Sequence, residues 1–171
     1  MKKKIFMAGV GGMLGEAFYY EFLNDYNLYC TDKDVNEKWL NYLDFCEKEK
    51  YKSEVLKFNP DYLFHIGAFT DLEYCEKNKD ETIETNKNSV ISAVEICNEL
   101  KIPLLYISTA GIFDGQKEQY DETDTPKPIG VYASSKYEAE KYVIKNCEKY
   151  IICRAGWMMG GGPKKDKKFI Q

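Results

Sequence analysis

The sequence predicts an α/β fold, a Rossmann-type doubly wound parallel sheet held between two layers of helices. Short, continuous apolar runs alternate with longer stretches of helical periodicity. Strands separated by helices run parallel, joined by right-handed crossovers. The runs are unbroken rather than alternating, as expected of strands buried on both faces. A glycine cluster also falls where the first strand hands over to the first helix.

Each element has its own signal. Ile5-Phe6-Met7-Ala8 reads as a buried strand, and 12–24 as a helix with Leu14, Ala17, Phe18 and Phe22 along one side. A second strand covers 28–31. A third covers 61–66, introduced by Asn59-Pro60, which ends the helix before it. The segment 83–100 is the clearest amphipathic helix, with Val90, Val94 and Cys97 at spacings of four and three. Pro103 stops it, and 104–107 forms the next strand. Asp114-Gly115 and the Pro126/Pro128 segment mark a long surface loop, followed by a helix over 131–146 and a strand over 150–153. No internal repeat or low-complexity linker interrupts this order.

Composition narrows the function classes. A length of 171 residues suits one domain with a substantial core. Net charge −4 argues against nucleic-acid binding, and Arg154 is the only arginine available for bidentate phosphate recognition. Mean hydropathy of −0.52 and the lack of a long apolar run exclude a membrane-spanning helix. The six cysteines (Cys30, Cys46, Cys75, Cys97, Cys147, Cys153) are scattered singly, and His65 is the lone histidine, so no zinc ligand set forms. Reduced thiols in apolar stretches fit a cytoplasmic location. Met1-Lys-Lys-Lys before an apolar stretch imitates a secretory signal, but the glycines within it have a better explanation.

That explanation is a phosphate loop. Gly9-Val-Gly11-Gly12-Met13-Leu14-Gly15 fits Gly-x-x-Gly-x-x-Gly through Gly9, Gly12 and Gly15, with Leu14 where the Gly-x-Gly-x-x-Gly form needs glycine. One glycine makes the tight turn, another admits a pyrophosphate to the backbone, and the last lets helix and strand pack closely. The helix N-terminus then presents free N–H groups and partial positive charge. The plain alternative is a glycine-rich turn without ligand. Asp32, closing the second strand, can accept the adenosine ribose hydroxyls and favours NAD; Lys33 beside it can reach the 2′-phosphate of NADP. Asp32 as a helix cap is the simpler reading.

Tyr132 and Lys136 form a Tyr-x-x-x-Lys pair on one helix face. Tyr29/Lys33 and Tyr137/Lys141 share the spacing, but the first lies on a strand and the second is rotated away from the Tyr132 face. Only Tyr132/Lys136 opens a helix that follows a strand ending in Ser108-Thr109. A tyrosine with a pKa of about 10 is a sluggish acid–base group at neutral pH, and a neighbouring ammonium lowers it. Thr109 would orient a substrate oxygen. A solvated surface Tyr/Lys pair is the simpler account of the same spacing. His65 reads as a packed residue beside the cleft, and Arg154 as a structural partner of an acid such as Glu140. The tyrosines as a group read as mostly half-buried surface.

With these motifs in view, the sequence resembles the extended short-chain dehydrogenases/reductases, in their dTDP-4-dehydrorhamnose reductase-like, sugar-nucleotide-binding branch. The matching residues are Gly9-x-x-Gly12-x-x-Gly15, Leu43-Asp44-Phe45, 60–71 with His65 and Gly67-Ala68-Phe69, and Glu84-Thr85-Asn86. They continue with Ser108-Thr109, Phe113-Asp114-Gly115, Tyr120-Asp121-Glu122, Tyr132 to Lys136 and Arg154-Ala155-Gly156-Trp157.

The resemblance implies an NAD- or NADP-dependent oxidoreductase acting on a nucleotide-sugar, with Thr109, Tyr132 and Lys136 catalytic. It places Gly12, Met13 and Leu14 along the pyrophosphate, Asp44-Phe45 against adenine and Gly67, Ala68 and Phe69 along the cleft. Lys136 would also hold the nicotinamide ribose, Asn86 would support the local geometry, and Trp157 would help form the sugar-nucleotide pocket. The implied division is a cofactor-binding domain over 1–157 and the start of a substrate-binding region over 158–171. Two departures stand out: Ala110-Gly111 replaces the usual Asp-Tyr, and the chain stops where the family continues, so the end reads as a cut. The implied reaction is reduction of a 4-keto sugar. The alternatives are an NAD-dependent epimerase or dehydratase, and a cofactor-binding regulatory protein without turnover. Helices over 83–100 and 131–146 often pair across a dimer in the wider superfamily, and their apolar faces permit a homodimer.

Overall fold

The computed structural model describes residues 1–160. Strands β1 (Lys4–Ala8), β2 (Asn27–Asp32), β3 (Leu40–Tyr42), β4 (Tyr62–His65), β5 (Leu104–Thr109) and β6 (Tyr150–Ala155) form one sheet in the order β3-β2-β1-β4-β5-β6. Every neighbouring pair is parallel. Between them run α1 (Met13–Phe22), α2 (Lys48–Phe58), α3 (Leu72–Lys77), α4 (Lys79–Ile83), α5 (Ser89–Leu100) and α6 (Gly130–Asn146). The order reverses direction between β1 and β4, and a doubly wound sheet opens its ligand crevice at such a switch point.

The predicted α/β class holds, with differences of detail. β3 has no apolar run to announce it, since Asn41 and Tyr42 are exposed. The long helix expected over 83–100 is broken: Glu84–Asn88 is a π-turn feeding α5. The helix ends signalled by Asn59-Pro60 and Pro103 are real, with Asn59 (φ 51°) and Lys101 (φ 58°) in the left-handed conformation that closes a helix. The lysine-led apolar start is β1, whose Phe6, Met7 and Ala8 lie at the centre of the core.

Two cores flank the sheet. On one face, Phe6, Leu63, Leu104 and Tyr106 pack against Tyr51 and Val55 of α2, Val90, Val94 and Cys97 of α5, and Ala139 and Val143 of α6. On the other, Ile5, Met7, Cys30 and Ile107 meet Leu14, Phe18, Tyr19 and Phe22 of α1. Tyr19 takes the place expected of Ala17, which is exposed, and stacks flat on Trp39 at 4.1 Å. Most tyrosines are half-buried, as expected; Tyr51 and Tyr106 are exceptions and are fully buried. Burial of each large side chain here contributes about 1.5–3 kcal/mol.

The apolar side of α5 is used inside this core. Its outward carboxylates Glu95 and Glu99 pair with Lys48 (2.7 Å) and Lys52 (2.6 Å) of α2. All six cysteines are free thiols. Among the described residues no helix is long and apolar enough to cross a membrane, and no side-chain cluster could hold a metal ion.

Candidate active site

The C-terminal ends of β1 and β4 touch through glycine. A Cβ on Gly9, whose φ is +74°, would lie 2.2 Å from the Gly67 Cα. A Cβ on Gly67 would meet the Phe45 ring at 2.5 Å. Phe45 is therefore a buried support beneath both glycines, edge-on to His65 at 4.9 Å. The Gly9 and Val10 N–H groups both donate to Thr31 O, at 2.9 and 3.1 Å, which fixes the turn to β2. Gly15 serves helix–strand packing, since a Cβ there would come within 2.3 Å of Val10 backbone. Gly12 differs: a Cβ would meet nothing within 4 Å. It stands at the start of α1 with no side-chain cap, so the helix N-terminus faces open space with its backbone donors. Met13 is half-buried there, while Leu14 turns into the α1-side core and offers only its backbone outward.

Asp32 does something the sequence did not announce. Its Oδ2 accepts the Gly11 N–H at 2.7 Å and its Oδ1 accepts the Asp34 N–H at 2.9 Å. It thus clamps the glycine loop to the end of β2. Lys33 forms an ion pair with Asp44 at 3.1 Å. Burial pushes the Asp44 carboxyl up, but the Cys46 N–H and Lys33 outweigh it and hold it below the usual range.

The wall after β4 is held by Asn86 in the π-turn. Its Oδ1 accepts the Phe69 N–H at 2.8 Å, and its Nδ2 donates to Phe69 O at 3.0 Å and Ser135 Oγ at 3.2 Å. Gly67, Ala68 and Phe69 are half-buried along this edge. A π-turn is rare and concentrates at functional sites; here it aims the amide at a loop rather than along the helix. Asn86 thus ties the Phe69 loop to α6, where Ser135 Oγ in turn donates to Tyr132 O at 2.8 Å.

At the catalytic end, α6 begins at Gly130 (φ +80°), and Glu76 of α3 accepts the Val131 N–H at 2.6 Å. This cap, 55 residues distant in sequence, had no local signal. Tyr132 follows directly. Burial raises its phenol, and the neighbouring Thr109 hydroxyl works in the opposite direction. The Thr109 Oγ1 accepts the Gly111 N–H at 3.0 Å, so the departure at Ala110-Gly111 forms a short turn that steadies Thr109. Beside it, Ser108 Oγ is buried with no hydrogen-bond partner among the described residues.

Lys136 is 2% exposed, its Nζ 4.4 Å from the centroid of the Tyr106 ring. Burial lowers its ammonium to about 7, against the attraction of Glu140. The Lys136 amine lies over the face of the Tyr106 ring, on the helix that also carries Tyr132 one turn earlier. The competing pair Tyr137/Lys141 is a surface contact, with the Lys141 Nζ 4.9 Å from the Tyr137 ring centroid.

His65 is packed, as expected. Tyr51 Oη lies 3.1 Å from Nδ1 and Ser89 Oγ 3.1 Å from Nε2. Ser89 donates its own proton to Thr85 O at 2.6 Å, so Nε2–H donates to Ser89 and Tyr51 donates to Nδ1. Burial and Lys136 push this histidine down to about 3. Arg154 pairs with Glu140, as expected, at 2.6 Å. Trp157 lies past β6 and is 78% exposed.

This arrangement leaves room for an extended anionic ligand over Gly12 and sets a phenol, Tyr132, at the far end, and the chain has known relatives. Residues 3–171 match the family model described as RmlD substrate binding domain. A dTDP-4-dehydrorhamnose reductase of Aggregatibacter actinomycetemcomitans is 27% identical over 92% of this chain and 52% of its own. A methionine adenosyltransferase 2 subunit beta of Danio rerio is 22% identical over 98% of this chain and 52% of its own. Among solved structures, a dTDP-4-dehydrorhamnose reductase from Yersinia enterocolitica superposes with a TM-score of 0.86 at 33% identity, covering 98% of this chain and 57% of that one. Another from Bacillus anthracis, in complex with NADP, gives 0.85 at 30% identity, covering 94% and 55%. The chain spans about half the length of the relatives it matches. It belongs to the family of the RmlD substrate-binding domain.

Proposed function

We propose that this chain is the cofactor-binding part of an NAD(P)H-dependent reductase of a 4-keto sugar nucleotide. The observation that carries the reading is the placement of Tyr132 in the first turn of α6, with Thr109 at the end of β5, on the same sheet edge as the Gly9–Gly67 contact and the open α1 N-terminus. The residues fit a dinucleotide. Gly12 leaves its approach open, the first N–H groups of α1 are uncapped, and the buried Ser108 hydroxyl is unsatisfied by the chain itself. The backbone of Gly12, Met13 and Leu14 would hold the pyrophosphate, and Lys33 or Asp32 the adenosine ribose. Gly67, Ala68 and Phe69 would wall the cleft, with Lys136 at the nicotinamide ribose.

Bound NADH or NADPH supplies the hydride. Tyr132, kept protonated by burial, donates its phenolic proton to the keto oxygen. The Thr109 hydroxyl orients that oxygen. Lys136 in its charged form stabilises the phenolate left behind. Trp157 would contribute to the sugar-nucleotide side.

The 171-residue chain alone binds dinucleotide and turns over little or nothing, because half of its relatives' length lies outside it. Calorimetric titration with NADP and NAD tests the first part, and failure of both to bind overturns the reading. Oxidation of NADPH or NADH with a panel of keto-sugar nucleotides, on a chain extended to the relatives' length, tests the second. A non-catalytic binding role is the second reading, favoured by Ala110-Gly111 and by relatives named as an adenosyltransferase subunit. Cofactor binding without turnover of any sugar in that panel would establish it over the first. An epimerase or dehydratase would instead retain its cofactor through purification.

A further inference from the structure

We infer that Glu140, clamped by Arg154, is a positioning residue that keeps the buried Lys136 side chain in its ammonium form. The inference rests on the function proposed above, in which a charged Lys136 supports proton transfer from Tyr132.

A lysine amine taken out of water loses its proton unless negative charge accompanies it. The surroundings of Lys136 supply little. From β4 comes His65, neutral, with both ring nitrogens engaged by Tyr51 and Ser89. From β5 comes Tyr106, whose ring faces the amine and whose phenol burial holds in its neutral form. From the π-turn comes Asn86, an uncharged amide already bonded to Phe69 and Ser135. On α6 itself Tyr132 is a protonated phenol, and Glu138 is exposed and paired with Lys87. Glu140 remains. It is one helical turn from Lys136 on the same face, 1% exposed, and is the carboxylate that acts on the amine.

Its placement is not left to α6 alone. Arg154 of β6 donates to Oε1 through Nη2 at 2.6 Å and through Nε at 3.2 Å, and through Nε to Oε2 at 3.3 Å. The guanidinium lies 5.4 Å from the Phe113 ring, which fixes it in turn. A fork of this kind sets both position and orientation of a carboxylate.

The test reads the lysine directly. Lysine labelled with 13C at Cε and 15N at Nζ is incorporated into the chain, and the Lys136 signal is identified by its loss in Lys136→Met. The expected midpoint in the unsubstituted chain is about 7. In Glu140→Gln it falls, and the ammonium-to-amine ratio at neutral pH drops about tenfold. Glu138→Gln, on the same helix, leaves it in place. An unmoved midpoint in folded Glu140→Gln overturns the inference. Should that variant fail to fold with Arg154 unpaired, Glu140→Asp keeps the charge and the partner but withdraws the carboxylate by one methylene. A smaller fall in the same direction is then expected, and an unmoved midpoint overturns the inference. The titration needs no dinucleotide. A midpoint that follows Glu140 in a chain that binds neither NAD nor NADP therefore overturns the functional reading while upholding the link between the two side chains.

Discussion

The two ends of the cleft are made of different materials. At the phosphate end, β1, α1 and β2 are joined by backbone meeting backbone: Gly9 against Gly67, Gly15 against Val10, and Gly11 N–H on Asp32. At the catalytic end, β5, α6 and β6 bring together side chains that titrate or carry charge: Tyr106, Lys136 and Glu140, all buried, with Tyr132 and Arg154 half-buried beside them. The first end is a matter of steric room. The second is a matter of which groups hold protons, and it sits in the core at a cost in stability. Substitutions at the two ends should therefore fail for different reasons.

The largest effect belongs to the glycines. Gly9→Ala places a methyl 2.2 Å from the Gly67 Cα on a residue with φ +74°, and neither backbone can move without displacing Phe45. A loss of more than about 3 kcal/mol in urea unfolding is expected. Gly12→Ala meets nothing within 4 Å and has φ −85°. It should leave stability within about 0.5 kcal/mol. Its methyl would still stand where a pyrophosphate must come close to the backbone, so calorimetry should show dinucleotide affinity weakened by about tenfold or more. Equal destabilisation by the two substitutions would erase the distinction between a packing glycine and a ligand-facing one.

A smaller effect, of opposite sign, is expected at the catalytic end. The Lys136 ammonium falls from its ordinary value of 10.5 to about 7 in the folded chain. Between those values the unfolded chain holds a proton that the folded one does not, so the lysine's contribution to stability rises with pH across this window. Below pH 7 the folded chain must keep the charge buried. Lys136→Met, close in shape and uncharged, should therefore stabilise the chain by on the order of 1–3 kcal/mol at mildly acidic pH. The advantage should shrink as pH rises toward 10.5. Urea unfolding at two pH values reads the slope, and a gain that grows with pH would contradict a buried, proton-losing amine.

How much of this was legible follows the same division. Gly9, Gly12 and Gly15 could be read from spacing, because the steric demand of a strand–turn–helix is local. So could the placement of Tyr132 and Lys136 on one helix face just after the strand that ends in Ser108-Thr109. What each polar group bonds to was not legible. Asp32 turned back to its own loop, and the amine of Lys136 lies over the Tyr106 ring. β3 escaped because a three-residue edge strand with two exposed positions has no pattern to show. The π-turn escaped because its residues keep the polarity of a helix while shifting its hydrogen bonds by one. The cap on α6 from Glu76 is a tertiary fact, carried by no neighbouring residue.

Asn86 joins the two ends and gives the mildest test. Its amide holds both polar groups of the Phe69 backbone and reaches Ser135 on α6. Asn86→Ala removes these bonds, and because Phe69 is half-buried, water can replace part of what is lost. A cost of about 1–2 kcal/mol is expected, at the lower end for stranded buried groups. The local consequence should exceed the global one: the Phe69 amide loses its acceptor, so its hydrogen exchange should accelerate tenfold or more while amides of β1 stay protected. Lys136 should keep its midpoint, since Asn86 brings no charge to it and Glu140 and Tyr106 are untouched. If loosening Phe69 also moved that midpoint, the wall of the cleft and the buried charges would be one mechanical unit, and the division between a steric end and an electrostatic end would not survive.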